Sequence, residues 1–281
     1  PWAACLNLMD AHRPFEPRPG FDRWGDDRAR ELQADLPTRW EWQFHAGDRP
    51  YWQLAGLEHL YDGGIRQADA VLERVVERLR NAGELDDTLL VVCGDHGDGF
   101  GEPGLLDGEP PAVSHIVPMH EALLRVPLLV RPPGGAAGRT RHEPAALTAF
   151  PDAALAVVDG DPVAGAFARE RVRATKQPVT AELRERFTDA CADPDRFLAE
   201  SRSVYRADDT DRRAVRKRYF WGDVAAECRI RGPGEISVVE PISSERVDAA
   251  FDDHAPDVRD PFDADGVADD TREQLAALGY Y

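Results

Sequence analysis

The run Thr88-Leu-Leu-Val-Val-Cys-Gly-Asp-His-Gly97 constrains the fold of this chain more than any other segment. Its apolar stretch is short and uninterrupted, which suits a strand buried on both faces of a parallel sheet. It ends abruptly in Asp95-His96, with Gly94 and Gly97 on either side. In open α/β sheets, ligands sit just beyond the carboxyl ends of the strands. A hard oxygen donor beside an imidazole at such a position suits a divalent cation, or a phosphate- or sulfate-like group held by one. The same residues would also serve a plain strand-to-loop turn in which Asp caps and Gly bends.

The neighbouring segments fit an α/β architecture. Ile65, Ala68, Leu72, Val75 and Leu79 recur at helical spacing within residues 62–82, and Gly83 is a stop signal. That helix followed by strand 88–93 reads as half of a βαβ unit. Residues 3–9 read as a short strand ending in Asp10-Ala-His12, with a Pro-rich loop after it. Val126 to Val130 reads as another strand, and Pro127 places its start at an edge. Leu147 to Val158 reads as an apolar helix closed by Gly160. After residue 165 the composition shifts. Helical signals near 180–200 precede short strand-like runs at 203–206, 214–219 and 236–239, which predict a small α+β subdomain. The Asp-crowded stretch 248–270 reads as a solvated tail. The expected organisation is therefore an α/β part over residues 1–165 and an α+β subdomain over 166–281.

Charge narrows the function classes. The formal net charge of the 281 residues is −18, which argues against nucleic-acid partners, since these need a basic face. No apolar run is long enough to span a bilayer, so no membrane partner is expected. Lysine occurs only at 176 and 217, all other side-chain cations being arginine apart from histidine. An acidic, nearly lysine-free chain fits a protein of high-salt surroundings, where salt screens self-repulsion. The four cysteines, at 5, 93, 191 and 228, form no Cys-x-x-Cys pair. Cys5 and Cys93 lie in apolar runs and are expected to be small buried hydrophobes, which leans toward a reducing, cytoplasmic location. The chain opens at Pro1 without a Met or a leader, so its natural N-terminus is expected to lie upstream.

Several segments, in order and spacing, resemble the sulfatases of the alkaline phosphatase superfamily. Leu6-Asn-Leu-Met-Asp-Ala-His12 is similar to the family's Met-Asp-Pro-His segment. Tyr61-Asp-Gly-Gly-Ile-Arg-Gln-Ala-Asp69 resembles its Tyr-Asp-Gly-Glu-Ile-x-x-x-Asp helix start. Leu85 to Gly97 resembles its metal-binding strand, and Gly99-Phe-Gly-Glu102 and Leu124 to Arg131 continue the pattern. Phe150-Pro-Asp-Ala-Ala-Leu155 resembles a helix start of the family, and Leu275-Ala-Ala-Leu-Gly-Tyr280 its common ending.

The resemblance implies an alkaline-phosphatase-like α/β fold with its sheet sandwiched by helices, and hydrolysis of sulfate esters. Asp95 and His96 would be half of a divalent-cation site, with calcium the expected ion and Mg2+ or Mn2+ as alternatives. His12 would face the ester and serve the leaving group or the nucleophile. His115 falls near the position of a sulfate-gripping Lys, where it supplies a donor, and a charge when protonated. The family's first Asp pair and its Cys-x-Pro/Ala-x-Arg nucleophile segment belong upstream of residue 6, and no cysteine here fits them. The chain is thus expected to be a C-terminal portion that needs a missing N-terminal segment to complete its site, and to be inactive alone. Two alternatives stand beside this reading: a phosphatase or phosphodiesterase of the superfamily, and a non-catalytic, degenerate domain.

Overall fold

The computed structural model describes residues 2–251 apart from 118, 136–137, 164, 177–179 and 233. The acidic stretch beyond residue 251 and the Leu275–Tyr280 ending lie outside the described residues. The fold is mixed α/β.

Residues 2–8 are exposed, carry no regular secondary structure and pair with no described strand, and a single 3-10 turn, Met9–Ala11, follows. The strand expected at 3–9 is therefore not formed. Its backbone gains no ladder, because none of the described strands lies along it. Next come α1 (Asp27–Asp35), started by Asp26 accepting from the Ala29 N–H, and the short α2 (Glu41–His45). The central element is α3 (Leu54–Asn81), 28 residues long, or about 42 Å at helical rise. It starts eight residues before the expected position 62, because Leu54, Leu57 and Leu60 extend the apolar stripe N-terminally and are buried. Those leucines join Phe15, Trp40, Phe44 and Val113 in a core. The expected stripe farther along, from Ile65 to Leu79, is only partly covered among the described residues.

β1 (Leu90–Cys93) follows, then the hairpin β2 (Gly99–Glu102) and β3 (Ala112–Ser114), the short α4 (Glu121–Leu124), and β4 (Leu128–Arg131). β1 pairs antiparallel with β4, Val91 opposite Val130 and Cys93 opposite Leu128. The parallel, doubly buried strand read from the sequence is corrected here. Residues 94–127 fold back on themselves and return the chain antiparallel, so among the described residues β1 has one partner and only partial burial. Pro127 stands one residue before β4, where its missing N–H costs the ladder nothing. α5 (Phe150–Asp159) and its flanking turns cover one face of this pair, Ala153 of the helix, Ala149 just before it and Phe167 beyond it packing with Val91, Leu128 and Val130. Gly160, at φ 78°, closes the helix in the left-handed region. Leu129, on the other face, is 60% exposed.

The rest of the described chain forms β5 (Arg171–Thr175), α6 (Ala181–Ala190), α7 (Asp195–Leu198), then β6 (Ser201–Ala207), β7 (Val215–Trp221), β8 (Val224–Gly232), β9 (Glu235–Ile242) and α8 (Glu245–Asp248). The five strands make one antiparallel sheet in sequence order. One face carries Val204, Phe220 and Ala225 against Val247 of α8. The other carries Tyr219, Trp221, Ala226 and Cys228 against Leu106, Val117 and Met119, which flank β3 between β2 and α4. The sheet thus backs the segment that holds His115 and His120.

Candidate active site

Asp95 and His96 stand where the sequence placed them, just past the end of β1. Asp95 Oδ1 accepts the His96 backbone N–H at 3.0 Å, and His96 Nδ1 meets the Gly97 carbonyl at 2.8 Å. In a neutral ring, Nδ1 donating to that carbonyl leaves the lone pair on Nε2, the form an imidazole needs to bind a cation. Nε2 lies 4.0 Å from Asp95 Oδ2. Gly97 is required by contact. A Cβ there would fall 1.8 Å from the Ala122 carbonyl oxygen, and the Gly97 N–H bonds to the Leu123 carbonyl at 2.9 Å. The Asp-His turn therefore rests directly on the backbone of α4.

His115 is brought to His96, ring centroids 4.7 Å apart. It follows Ser114, which ends β3 at φ 55°, a left-handed conformation that costs a non-glycine residue on the order of 1 kcal/mol. Ser114 Oγ lies 3.2 Å from His115 Nδ1, and Asp98 Oδ1 lies 3.8 Å from it. The Asp98 carboxylate holds His115 above the ordinary imidazole range, burial opposes it, and Glu41 and Asp95 add to the rise. The Tyr61 phenol is pushed up by burial, then by Asp98, Asp62 and Asp95, which places the start of the α3 motif in the same electrostatic neighbourhood. Sequence reading missed Asp98, Tyr61, Ser114 and Glu41 as neighbours. Two carried a signal: Asp98, three residues beyond Asp95, a carboxylate so close to the strand end that it shares its turn, and Tyr61, the first residue of the Tyr61–Asp69 segment.

His12 ends the 3-10 turn, exposed, with its N–H on the Met9 carbonyl at 3.0 Å. Among the described residues no hydrogen bond or ring contact joins it to His96 or His115. Its loop is tied to α3 instead. Gln67 Nε2 donates to Asp10 Oδ1, and the Arg18 N–H donates to Gln67 Oε1 at 2.9 Å. Gly64 stands where the resemblance has Glu, and a Cβ there would fall 2.1 Å from the Asp10 carbonyl oxygen. The departure thus lets the chain of Asp10 lie on the helix. His120 caps α4: Nδ1 accepts the Ala122 N–H at 3.1 Å and Nε2 reaches the Pro103 carbonyl at 3.2 Å. His59 and His142 are exposed. Of the tryptophans, Trp42 of α2 and Trp40 just before it are buried in core clusters, and Trp24 is half-exposed.

Cys5 and Cys93 are exposed rather than buried, and all four cysteines are free. The burial expected of them fails because β1 is open at its end and residues 2–8 form no sheet. Among the described residues no group of three or more His, Cys, Asp or Glu side chains is arranged to hold a metal ion. The donor set at the turn is one carboxylate and one imidazole, fitting as a fraction of a hard-cation shell. No helix among the described residues is long and apolar enough to cross a membrane.

The sulfatase family model matches residues 1–160, more than half of the 281-residue chain. The chain belongs to the sulfatase family, whose alkaline-phosphatase-like α/β class the mixed architecture is consistent with. It is similar, at 37% identity over 79 residues, to the extracellular sulfatase SULF-1 homolog of Drosophila melanogaster, covering 28% of this chain and 6% of that protein. Among solved structures it is similar to the phosphonate monoester hydrolase SpPMH from Silicibacter pomeroyi, with 18% identity and TM-score 0.38, over 80% of this chain and 41% of that one. The chain therefore spans much less than two thirds of either protein.

Proposed function

We propose that this chain is the C-terminal share of a cation-dependent hydrolase of sulfate esters, with the nucleophile and the remaining cation ligands in an N-terminal segment outside it. Family membership supports the hydrolase class. The observation that carries the site is the contact of His96 with His115 at the end of β1, beside Asp95. Asp95 and His96 would hold the cation, calcium by expectation, which when bound supplies Lewis-acid polarisation of an ester oxygen.

His115 has Nδ1 beside Ser114 and Asp98, which leaves its other ring nitrogen for a sulfate oxygen. His12, on an exposed loop fastened to α3, would move a proton at the leaving group or nucleophile. The 1–165 part would hold the chemistry and the sheet beyond it would support that part. The cytoplasmic placement keeps only the free state of the cysteines as support.

The test is hydrolysis of 4-nitrophenyl sulfate and 4-nitrophenyl phosphate by the complete gene product, with and without chelator. Sulfate turnover lost on chelation and on Asp95→Ala is the expected result, with the 281-residue chain alone inactive. Preference for the phosphate ester would move the reading to a phosphatase or phosphodiesterase. Turnover of neither, with no cation bound, would leave a non-catalytic domain.

A further inference from the structure

The lysine at 217 is where this chain departs from its own habit. It has two lysines against a total of 34 Lys and Arg, and Lys217 is among its most deeply buried side chains, 1% exposed. It lies on β7, opposite Tyr205 on β6 and Cys228 on β8, on the face turned to the loop that carries His115. Its ammonium donates to the Met119 carbonyl and to Glu121 Oε1, the latter at 2.9 Å. Tyr205 donates to the same Glu121 oxygen at 2.7 Å. The ammonium also sits 4.1 Å from the centroid of the Tyr219 ring.

Tyr219 in turn donates to Glu109 Oε2 at 2.8 Å, and that oxygen accepts the backbone N–H groups of Leu105 and Leu106. A compact ammonium with three donors suits this pocket, where the broad planar fork of arginine does not. Two carboxylates, one at each end of the loop, are thus fastened to one sheet face. Glu121 opens α4, whose Ala122 and Leu123 carbonyls bear on Gly97. Between the fastened ends lies His115.

We propose that Lys217, with Tyr205 and Tyr219, is a positioning residue for the candidate site: it holds the 105–124 loop and α4 so that His115 meets His96. The inference rests on the reading above only in taking those two histidines as working groups. Its test needs neither cation nor ester. In the full chain, labelled at histidine, the His96–His115 ring cross-peak is followed in nuclear Overhauser spectra, with urea unfolding measured alongside. Three variants are compared: Lys217→Met, Tyr219→Phe, which keeps the ring, and Val204→Ala on the opposite face of the sheet. Loss of the cross-peak in Lys217→Met and its weakening in Tyr219→Phe are expected, while Val204→Ala loses stability and keeps it. If Lys217→Met does not fold, Tyr219→Phe decides. A cross-peak that persists in the folded variants, or that Val204→Ala removes equally, overturns the proposal. Absence of ester hydrolysis by the complete gene product would reject the proposed function and leave this result standing.

Discussion

Replacing Gly97 by alanine puts one methyl group into the contact that supports the Asp-His turn. The added carbon would lie 1.8 Å from the Ala122 carbonyl oxygen and 3.0 Å from its carbonyl carbon, both backbone atoms that cannot rotate away. Reaching ordinary contact at 3.4 Å requires the turn and α4 to part by roughly 1.5 Å. Forced overpacking costs about 1–3 kcal/mol. The same movement stretches the Gly97 N–H bond to Leu123, now 2.9 Å, removing about 1 kcal/mol more. The expected loss is therefore about 2–4 kcal/mol, read as a lower urea midpoint at unchanged slope. Gly20→Ala is the control: a Cβ there meets nothing within 4 Å, so it should stay within about 0.5 kcal/mol of the parent. Because His96 precedes Gly97, its ring resonances should shift in Gly97→Ala and stay put in the control. A Gly97→Ala variant as stable as Gly20→Ala, with the His96 signals unmoved, would refute the claim that the turn bears on α4.

Two further outcomes are expected. Burial lowers the His45 imidazole from 6.5 to about 4, with Arg196 adding to the drop. A histidine kept neutral in the fold contributes stability that is whole above its unfolded pKa and is lost as pH falls from about 6.5 to about 4. The loss approaches roughly 3 kcal/mol; His45→Phe should flatten that part of the urea-midpoint profile, and an equally steep profile in the variant would show that other groups cause it. At a formal charge of −18, self-repulsion weakens as the Debye length falls from about 10 Å in 0.1 M salt to about 3 Å in 1 M. The melting temperature should rise over that range, and a constant or falling value would end the high-salt reading of the composition.

What the sequence made legible follows from how locally each signal is written. The helix read at 62–82 and the helix read at 147–158 rest on apolar spacing along one segment, and both are present as α3 and as the turn at Leu147–Ala149 continued by α5. Asp95-His96 was legible because a buried run ending in a polar pair is also a local pattern. The parallel pairing of β1 was not, because direction depends on what returns beside a strand. Here the 94–127 loop returns β4 antiparallel. β5 and β8 went unread because half of each alternating pattern is charged, Arg171 and Arg173 in one and Glu227, Arg229 and Arg231 in the other, and the apolar half is small or sparse. The charges of β8 are satisfied in pairs, Glu227 by Arg218, Arg229 by Asp208 at 2.9 Å and Arg231 by Asp211 at 3.0 Å, while Arg173 of β5 donates to the Ala250 carbonyl. Ion pairing permits a strand where hydrophobicity scales see a loop.

The site divides along the same line, and the division bears on how its parts depend on one another. Asp95 and His96 come from one turn, so any chain that closes that turn presents both. Their contact with His115 has no such local guarantee. It needs β3 to end in a left-handed Ser114 and α4 to press on Gly97. It also needs Glu109 and Glu121 to find partners on a sheet roughly a hundred residues away in sequence. Long-range contacts of that kind form only when the whole sheet does, so the two halves of the site should respond differently to damage. Loosening the β6–β8 face should release His115 first, while the Asp95–His96 turn keeps its own hydrogen bonds to Asp95 and Gly97. His12 belongs to neither group. It is fastened to α3 through Asp10 and Gln67, and bringing it to the other two is a matter of how α3 and β1 are packed, in which Gly64 against Asp10 and Gly63 against Pro17 set how closely the His12 loop can approach the helix.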